Sequence, residues 1–244
     1  MFEDVIIPKR IESPIQEAVF EIRYSCPYPG EALYGLLFDI FKNFPNKEDH
    51  AIPINQIPLQ IRLHDLSFKY QPYYRALDNG FSFAVGPNSI IFSAFKPYRG
   101  WTEWKNFFYP ILDVIGKKEI INSVERIGLR TFDLFDGNIF DKINAKLTIT
   151  DRTIETNPTA FFTEFDQGEV HVLLNLGNNA YVNGQITKDS LIDIDCIYWF
   201  NCPASDFFSS YREILEKAHL ANKQVFFGLI KQELLSSLSP EYNK

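Results

Sequence analysis

Short strand patterns joined by tight-turn signals dominate this sequence. Residues 17–25 alternate between apolar residues such as Phe20 and Ile22 and polar or charged ones, which is typical of a strand with one buried face. Asn79-Gly80 lies between two further apolar segments and favours a two-residue hairpin turn. Because the strand-like segments follow one another through turns, the pattern predicts antiparallel pairing and disfavours a doubly wound parallel sheet.

The apolar periodicity places the predicted elements along the whole chain. Helices are predicted at residues 32–41, 100–115 and 204–238, the last with a kink near Asn222. Further strands are predicted at residues 59–70, 73–77, 81–85, 90–95, 123–135, 146–150, 160–165, 169–176, 180–186 and 191–200.

This order of elements predicts an α+β fold. Antiparallel sheets from two similar strand-rich halves would be covered by about three main helices, the last of them long and C-terminal. We expect a single compact domain over residues 1–244. The segments IIFSAFKPYRGWTEWKNFF and IDCIYWFNCPASDFFSSYR share a pattern, which indicates a pseudo-repeat of residues 1–140 and 141–244. The alternative explanation is that the two segments share a pattern only because any sheet needs covering helices.

The composition is that of an ordinary globular protein. Among 244 residues, 45% are apolar and 23% are charged, which excludes intrinsic disorder and a disulfide-rich mini-protein. The 23 Phe and 12 Tyr residues predict an aromatic core between sheet and helices. The formal net charge of −7 argues against a general nucleic-acid binder, because cationic side chains supply most of the non-specific affinity for phosphates.

The cysteines and the apolar runs indicate the cellular compartment of the protein. Cys26, Cys196 and Cys202 form no C-x-x-C pair, and thiols of this kind are expected in a reducing compartment. The apolar patch from Val5 to Ile7 is too short for a secretory signal, and no apolar run reaches the length of a membrane span. We therefore expect a cytoplasmic protein that does not bind membranes.

Three motifs support a family resemblance. Pro14-Ile15 precedes EAVFEIRY, Trp101-x-x-Trp104 opens a predicted helix, and ERIGLR covers Glu125 to Arg130. With these motifs the chain resembles, over most of its length, a sporadically distributed bacterial protein family of unknown function. The resemblance implies a bacterial cytoplasmic protein, and a patchy distribution fits horizontally moved genes, including defence and toxin–antitoxin genes. The resemblance implies no catalytic residue.

Asp193 and Asp195 are the clearest acidic pair. Because they are two residues apart on a predicted strand, their side chains share one face, and paired carboxylates can bind Mg²⁺ or Mn²⁺. A metal-dependent nuclease would use this pair with a nearby cation such as Lys188. The alternative is that the acids lie on a solvated face of the sheet. The histidines have no metal-ligand spacing, so we expect no metal or other cofactor.

An aromatic and basic segment surrounds the start of the predicted helix at residue 100. Nucleobases could stack on its aromatic rings while its cations hold phosphates. Trp, Tyr and Arg are also common anchors of protein interfaces, and a third alternative is that the tryptophans cap the core. The candidate binding residues of this segment are Lys96, Tyr98, Arg99, Trp101 and Trp104.

Arg126 and Arg130 are two further candidate binding residues, on the strand predicted at residues 123–135. They share one strand face, where two guanidinium groups could bind a carboxylate or a phosphate. The alternative is a structural ion network with one of the acids Glu17, Glu21 and Asp133.

Three function hypotheses stay open. A G-x-S-x-G elbow and a phosphate-binding loop are both absent, which argues against common enzyme classes. The leading hypothesis is a non-enzymatic interaction or regulatory protein, antitoxin- or defence-associated, that binds a protein partner or a second copy. The second is a small-ligand or nucleotide-binding module with an aromatic pocket. The third is a nuclease-like enzyme that uses Asp193 and Asp195.

Overall fold

The computed structural model describes residues 2, 4–45, 51–155, 158–178, 181–182, 185–186 and 189–242. Its strands are β1 (Ile15–Ser25), β2 (Tyr74–Asp78), β3 (Phe81–Gly86), β4 (Ser89–Phe95), β5 (Ser123–Asp136), β6 (Leu147–Ile149), β7 (Arg152–Ile154), β8 (Thr159–Gln167), β9 (Val170–Asn178), β10 (Tyr181–Val182), β11 (Gln185–Ile186) and β12 (Asp189–Pro203). Its α-helices are α1 (Leu33–Leu36), α2 (Phe38–Phe41), α3 (Leu59–His64), α4 (Trp101–Lys117), α5 (Ala204–Leu229) and α6 (Gln232–Ser237).

Eight strands of the described chain form one sheet in the order β2-β3-β4-β1-β5-β12-β9-β8. The pairs β2 and β3, β3 and β4, β8 and β9, and β9 and β12 are antiparallel. Two small two-stranded sheets, β6-β7 and β10-β11, lie outside this sheet. The large antiparallel sheet and the long helix α5 confirm the predicted α+β class.

β1 shows how the alternating sequence becomes a strand. Phe20 and Ile22 are fully buried, whereas Glu21 between them is only partly buried. The Phe20 ring contacts Phe92 of β4 and Phe108 of α4, with ring centroids 5.9 and 5.2 Å apart. The Phe-rich composition therefore supplies the aromatic core that it predicts.

The β2-β3 hairpin turns at Asn79-Gly80, as predicted. Asn79 and Gly80 have φ values of 44° and 83°, the left-handed conformation that a type I′ turn requires at both positions. Asn tolerates this conformation and glycine has no Cβ to oppose it. The turn brings Asp78 opposite Phe81 and so sets the register of the two strands.

Helix α4 packs through a single apolar stripe. Trp104, Phe108, Leu112 and Ile115 recur at spacings of three and four residues, and all are buried. This stripe is the one that the periodicity predicts. The helix begins one residue later and ends two residues later than predicted.

The strand predicted at residues 59–70 is wrong. These residues form α3 and a following 3₁₀ turn. Leu59, Ile61 and Leu63 alternate with polar residues in the sequence, but all of them are exposed. Alternation indicates a strand only where one face is buried. In this segment the carbonyl of Pro58 instead accepts the backbone N–H of Ile61, and this hydrogen bond starts a helix.

The predicted C-terminal helix is interrupted after Leu229, not near Asn222. The N–H of Asn144 donates to the carbonyl of Leu229 at 2.7 Å, and the N–H of Lys231 donates to Lys142 at 2.8 Å. These hydrogen bonds take backbone groups that a continuous helix would pair internally. The apolar periodicity continues through the break and so does not reveal it.

The helix predicted at residues 32–41 consists of two short helices, α1 and α2. Leu37 separates them with φ −109° and ψ 15°. The N–H of Ile40 donates to Leu37 three residues before it, which tightens the chain beyond the α-helical pattern. Leu33, Leu37 and Phe41 are nevertheless all buried, so the predicted apolar face is retained.

The chain divides into two compact units. Unit 1 comprises Met1–Ala18, Leu129–Ile197 and Leu215–Lys244, and unit 2 comprises Val19–Gly128 and Tyr198–Ile214. Each unit is built from segments that are distant in the sequence. The pseudo-repeat of residues 1–140 and 141–244 stays a prediction.

Candidate interaction surface

An apolar surface of unit 2 lies on α3 and on the 3₁₀ turn that follows it. Leu63 is 69% and Leu66 is 82% exposed, and Leu59 and Ile61 are exposed as well. Single exposed apolar residues are normal, but a group of them in one short segment is typical of an interaction site. These four residues are the α3 surface.

Of the described residues in α3, Arg62 alone is buried. Its Nε donates to the carbonyl of Ile57 at 3.0 Å, and its Nη2 donates to Oε1 of Glu31 at 2.8 Å. The guanidinium also lies 4.4 Å from the centre of the Tyr73 ring. A buried charge must be paired and hydrogen-bonded, so these contacts hold α3 in one orientation. The helix thus has its cation inside and its leucines outside, the reverse of the usual arrangement.

The chain after α3 is held by further polar contacts. Oδ1 of Asp65 accepts the N–H of Ser67 at 2.9 Å, a local bond that favours the turn and lowers the pKa of Asp65. Tyr70 then donates its hydroxyl to Oε2 of Glu125 at 2.7 Å, and its ring lies 4.1 Å from the guanidinium of Arg23. Polar contacts therefore hold the α3 surface, and its leucines remain available.

The aromatic and basic segment opens α4 in unit 2. Trp104 is buried, and its ring contacts those of Tyr98 and Trp101 edge-on, at 6.3 and 5.7 Å between centroids. Tyr98 and Trp101 are partly buried, and Lys96 is exposed. The tryptophans therefore pack against each other at the start of the helix, the arrangement expected if they cap the core.

The remaining cations of this segment have protein contacts. Nη2 of Arg99 donates to the carbonyl of Asn79 at 2.5 Å, and the guanidinium lies 3.4 Å from Glu103 and 4.4 Å from the centre of the Phe81 ring. The ammonium of Lys105 is 5.5 Å from the Trp101 ring. A nucleic-acid phosphate would have to compete with the contacts of Arg99.

Arg126 belongs to an ion network of unit 2. Its Nη2 donates to Oε2 of Glu21 at 2.9 Å, and the same oxygen accepts Nε of Arg23 at 2.8 Å. The guanidinium of Arg126 lies 5.8 Å from the ring of Trp199, which is exposed. Glu21 is one of the acids expected in a structural network.

Arg130 pairs separately, with Asp193 in unit 1. Its Nε and Nη2 donate to Oδ1 and Oδ2 of Asp193, each at 2.7 Å. The side chain of Asp193 is 5% exposed and that of Arg130 43%. This bidentate bond raises the pKa of Arg130, and the charges of Asp195 and Glu17 act in the same direction. Arg126 and Arg130 are thus bound to different carboxylates and do not converge on one anion.

The acidic pair of the nuclease hypothesis has a guanidinium where a metal would bind. Both oxygens of Asp193 accept hydrogen bonds from Arg130, so a divalent cation there would have to displace it. Lys188, the expected partner, lies outside the described residues. In the described part of the chain, no three His, Cys, Asp or Glu side chains are grouped to bind a metal.

Asp133 lies in a buried polar network of unit 1. Its carboxyl group is fully buried, and this burial raises its pKa to about 8, although a hydrogen bond from Thr131 opposes the shift. Thr131 also bonds Asn222 of α5, whose Nδ2 donates to the carbonyl of Ile194 at 3.3 Å. Burial therefore favours the neutral form of Asp133, and the two arginines pair with Glu21 and Asp193 instead.

The thiols lack the features of a nucleophile. Burial raises the pKa of each thiol, Cys26, Cys196 and Cys202, whereas a reactive cysteine needs a lowered pKa. No helix in the described ranges has the length and apolar character needed to cross a membrane.

The sequence analysis did not identify the α3 surface because the alternation of apolar and polar residues in this segment fits either a strand or a short helix. LQIRLHDL places apolar residues on both sides of Arg62, and the alternation was sufficient to predict a strand. Only the position of Glu31, which binds Arg62 from 31 residues away in the sequence, determines which side faces inward.

Comparison of the sequence with protein-family models and with curated proteins finds no match. The family resemblance stays an expectation.

Proposed function

We propose that this protein is a non-enzymatic interaction protein and that it binds a protein partner through the α3 surface. The observation that supports this proposal is the inverted arrangement of α3 and the turn after it, in which Arg62 is buried while Leu63 of the helix and Leu66 of the turn face solvent. A cytoplasmic location and an antitoxin or defence role belong to the same proposal and fit the family resemblance.

The energetics favour a partner for this surface. Burying one leucine side chain stabilises a protein or a complex by about 1.5–3 kcal/mol. The chain forgoes that stabilisation at Leu59, Leu63 and Leu66, and it instead buries an arginine that needs Glu31 to compensate it. Such an arrangement is reasonable when the leucines fill a pocket in another molecule.

The alternatives have weaker support. A ligand-binding module would gain from guanidinium groups that converge, but Arg126 binds Glu21 and Arg130 binds Asp193. A nuclease would need Asp193 to exchange Arg130 for a metal. The α3 surface needs no such rearrangement, since its side chains are already accessible.

Affinity purification of the tagged chain from its native host tests the proposal. The wild type and the double variant Leu63→Gln/Leu66→Gln are purified side by side, and co-purifying proteins are quantified by mass spectrometry. We expect one stoichiometric protein with the wild type and a loss of at least about tenfold with the variant, the equivalent of 1.4 kcal/mol.

Leu220→Gln is the matched control, because Leu220 is an exposed leucine of α5 in unit 1. It should retain the partner. A wild-type preparation without a stoichiometric protein, or a partner that the α3 double variant retains, would contradict the proposal.

A further inference from the structure

We propose that the outer edge of β8 is a pairing site for a second copy of this chain, which adds its own β8 in antiparallel orientation. β8 is the last strand of the eight-stranded sheet in the described part of the chain. It pairs with β9 over nine residues without a bulge, from Thr159 opposite Asn178 to Gln167 opposite Val170. This inference depends on unit 1 and is independent of the α3 surface.

The first half of β8 lacks the features that usually protect an edge strand. Natural edge strands are short, or have lysines, prolines or bulges that prevent pairing. Residues 160–163 have the sequence AFFT, without a charge or a proline. Phe161 and Phe162, on opposite faces of the strand, are 39% and 61% exposed. A long, regular and aromatic edge of this kind is a template for another strand.

The opposite edge of the sheet provides a contrast. β2 has five residues, among them the charged Arg75 and Asp78. Ala51 forms a bridge to Tyr74 at the start of β2, so part of that edge is already paired. Residues 160–163 of β8 have neither a charge nor, in the described part of the chain, a bridge to a further strand, which makes β8 the edge on which a strand can add.

The charges of β8 select a second copy and its register. In a two-fold antiparallel pair centred on Phe162, Phe162 lies opposite its own copy and Phe161 lies opposite Thr163 of the second copy. Glu164 then lies opposite Ala160, about 13 Å along the strand from the other Glu164. If the pair were centred on Thr163, the two Glu164 side chains would be diagonal neighbours about 7–8 Å apart and would repel. The Phe162 register therefore joins apolar halves and separates acidic ones.

The acids of β8 also contact a histidine of the neighbouring strand β9. His171 of β9 lies 2.8 Å from Oδ1 of Asp166 and 3.6 Å from Oε2 of Glu164. The hydrogen bond to Asp166 raises the pKa of His171, which favours the cation that balances these carboxylates. Glu164 and Asp166 nevertheless stay 61% and 77% exposed, so a pairing register still has to keep the acids of the two copies apart.

Sedimentation velocity of the full chain over a concentration series tests for the dimer. We expect the wild type to dimerise at about 10–100 μM and Phe162→Lys to weaken dimerisation at least tenfold, because an edge lysine blocks pairing. Leu77→Lys is the matched control, since Leu77 is an exposed residue of the other edge strand β2. It should leave the dimer unchanged.

Cysteine cross-linking tests the register without a disruptive charge. In a Cys26→Ser/Cys202→Ser background, Phe162→Cys places the two new thiols opposite each other at about 4.5–5.5 Å between Cα atoms, within disulfide range. Mild oxidation should give a covalent dimer. Ala160→Cys, on the same face, should give none because its own copy is about 13 Å away.

Each outcome decides the proposal. A wild type that stays monomeric over the series, or a dimer that Phe162→Lys does not weaken, overturns it. A dimer cross-linked through residue 160 but not 162 overturns the register. Leu63→Gln/Leu66→Gln should still dimerise, so failure of the α3 surface and failure of β8 are distinguishable.

Discussion

At the scale of single residues, three buried ionisable groups are accommodated in different ways. Arg62 is balanced by Glu31, and Asp193 by a bidentate bond to Arg130. Among the described residues no cation lies beside Asp133, and its burial instead favours the protonated form. Burying a carboxyl group without a cation costs the least free energy when the group is neutral.

Asp133 should make stability depend on pH. Its pKa is about 8 in the folded protein and near 3.9 in an unfolded chain. The contribution to stability is fully present below about pH 4, where the unfolded chain is protonated as well, and it is lost progressively as the pH rises from about 4 through about 8. We expect Asp133→Asn to raise the free energy of unfolding at pH 8 by several kcal/mol and to change it little at pH 4.

Urea denaturation of the wild type and of Asp133→Asn, from pH 4 to pH 9, measures this difference. If the free energies of unfolding of the two proteins differ by the same amount at every pH, the carboxyl group does not titrate as described.

The Arg130–Asp193 pair should show strong coupling. Arg130→Met leaves a carboxylate that is 5% exposed without its guanidinium, and we expect a loss of about 2 kcal/mol in the free energy of unfolding. Asp193→Leu alone should also destabilise the protein, and the double variant should recover part of the loss. A double-mutant cycle in urea measures the coupling, and additive effects would contradict the pairing.

At the scale of elements, two glycines have different roles. One is required by close packing, and the other only lowers the helix propensity of its segment. A Cβ on Gly86 would meet the backbone of Gln71 and Pro72, whereas a Cβ on Gly35 in α1 would meet nothing within 4 Å. The loop before β2 approaches the end of β3 only because Gly86 has no side chain.

The two glycines should therefore respond in opposite directions to substitution by alanine. Gly86→Ala should destabilise the protein by about 1–3 kcal/mol, since the opposing atoms are backbone. Gly35→Ala should stabilise it by up to about 1 kcal/mol, because alanine favours a helix. Thermal unfolding of both variants compares their changes in Tm relative to the wild type. Equal changes in Tm would refute this explanation.

At the scale of the whole molecule, two surfaces depart from an ordinary polar exterior. The α3 surface is apolar, although Arg62 beneath it is charged, and β8 is an aromatic edge of a large sheet. The first belongs to unit 2 and the second to unit 1, so binding at one needs no residue of the other.

Dimerisation through β8 should make thermal stability depend on concentration. An association that occurs only in the folded state raises the unfolding temperature as the protein concentration rises. We expect this increase for the wild type and for Leu77→Lys, and we expect its absence for Phe162→Lys. Calorimetry at several concentrations measures it, and a wild-type Tm that is independent of concentration would contradict the dimer.

Much of the fold was predictable because its signals are local. The alternation around Phe20, the Asn79-Gly80 turn and the stripe from Trp104 to Ile115 each depend on a few neighbouring residues, and each is present in the structure. The break after Leu229 and the helix at residues 59–64 were not predictable. The first depends on hydrogen bonds to residues 142–144, and the side of the second that faces inward depends on Glu31.

The sequence by itself determined the class of fold, because strand alternation, turn chemistry and helical periodicity are properties of adjacent residues. Tertiary structure decided which side chains are accessible and which charges are paired. Arg126 and Arg130 share a motif, yet Glu21 binds one and Asp193 the other. Leu63 and Leu112 are both leucines on helices, yet only Leu63 is exposed. Burial and ion pairing depend on atoms brought together from distant parts of the chain, and that information exists only once the chain has folded.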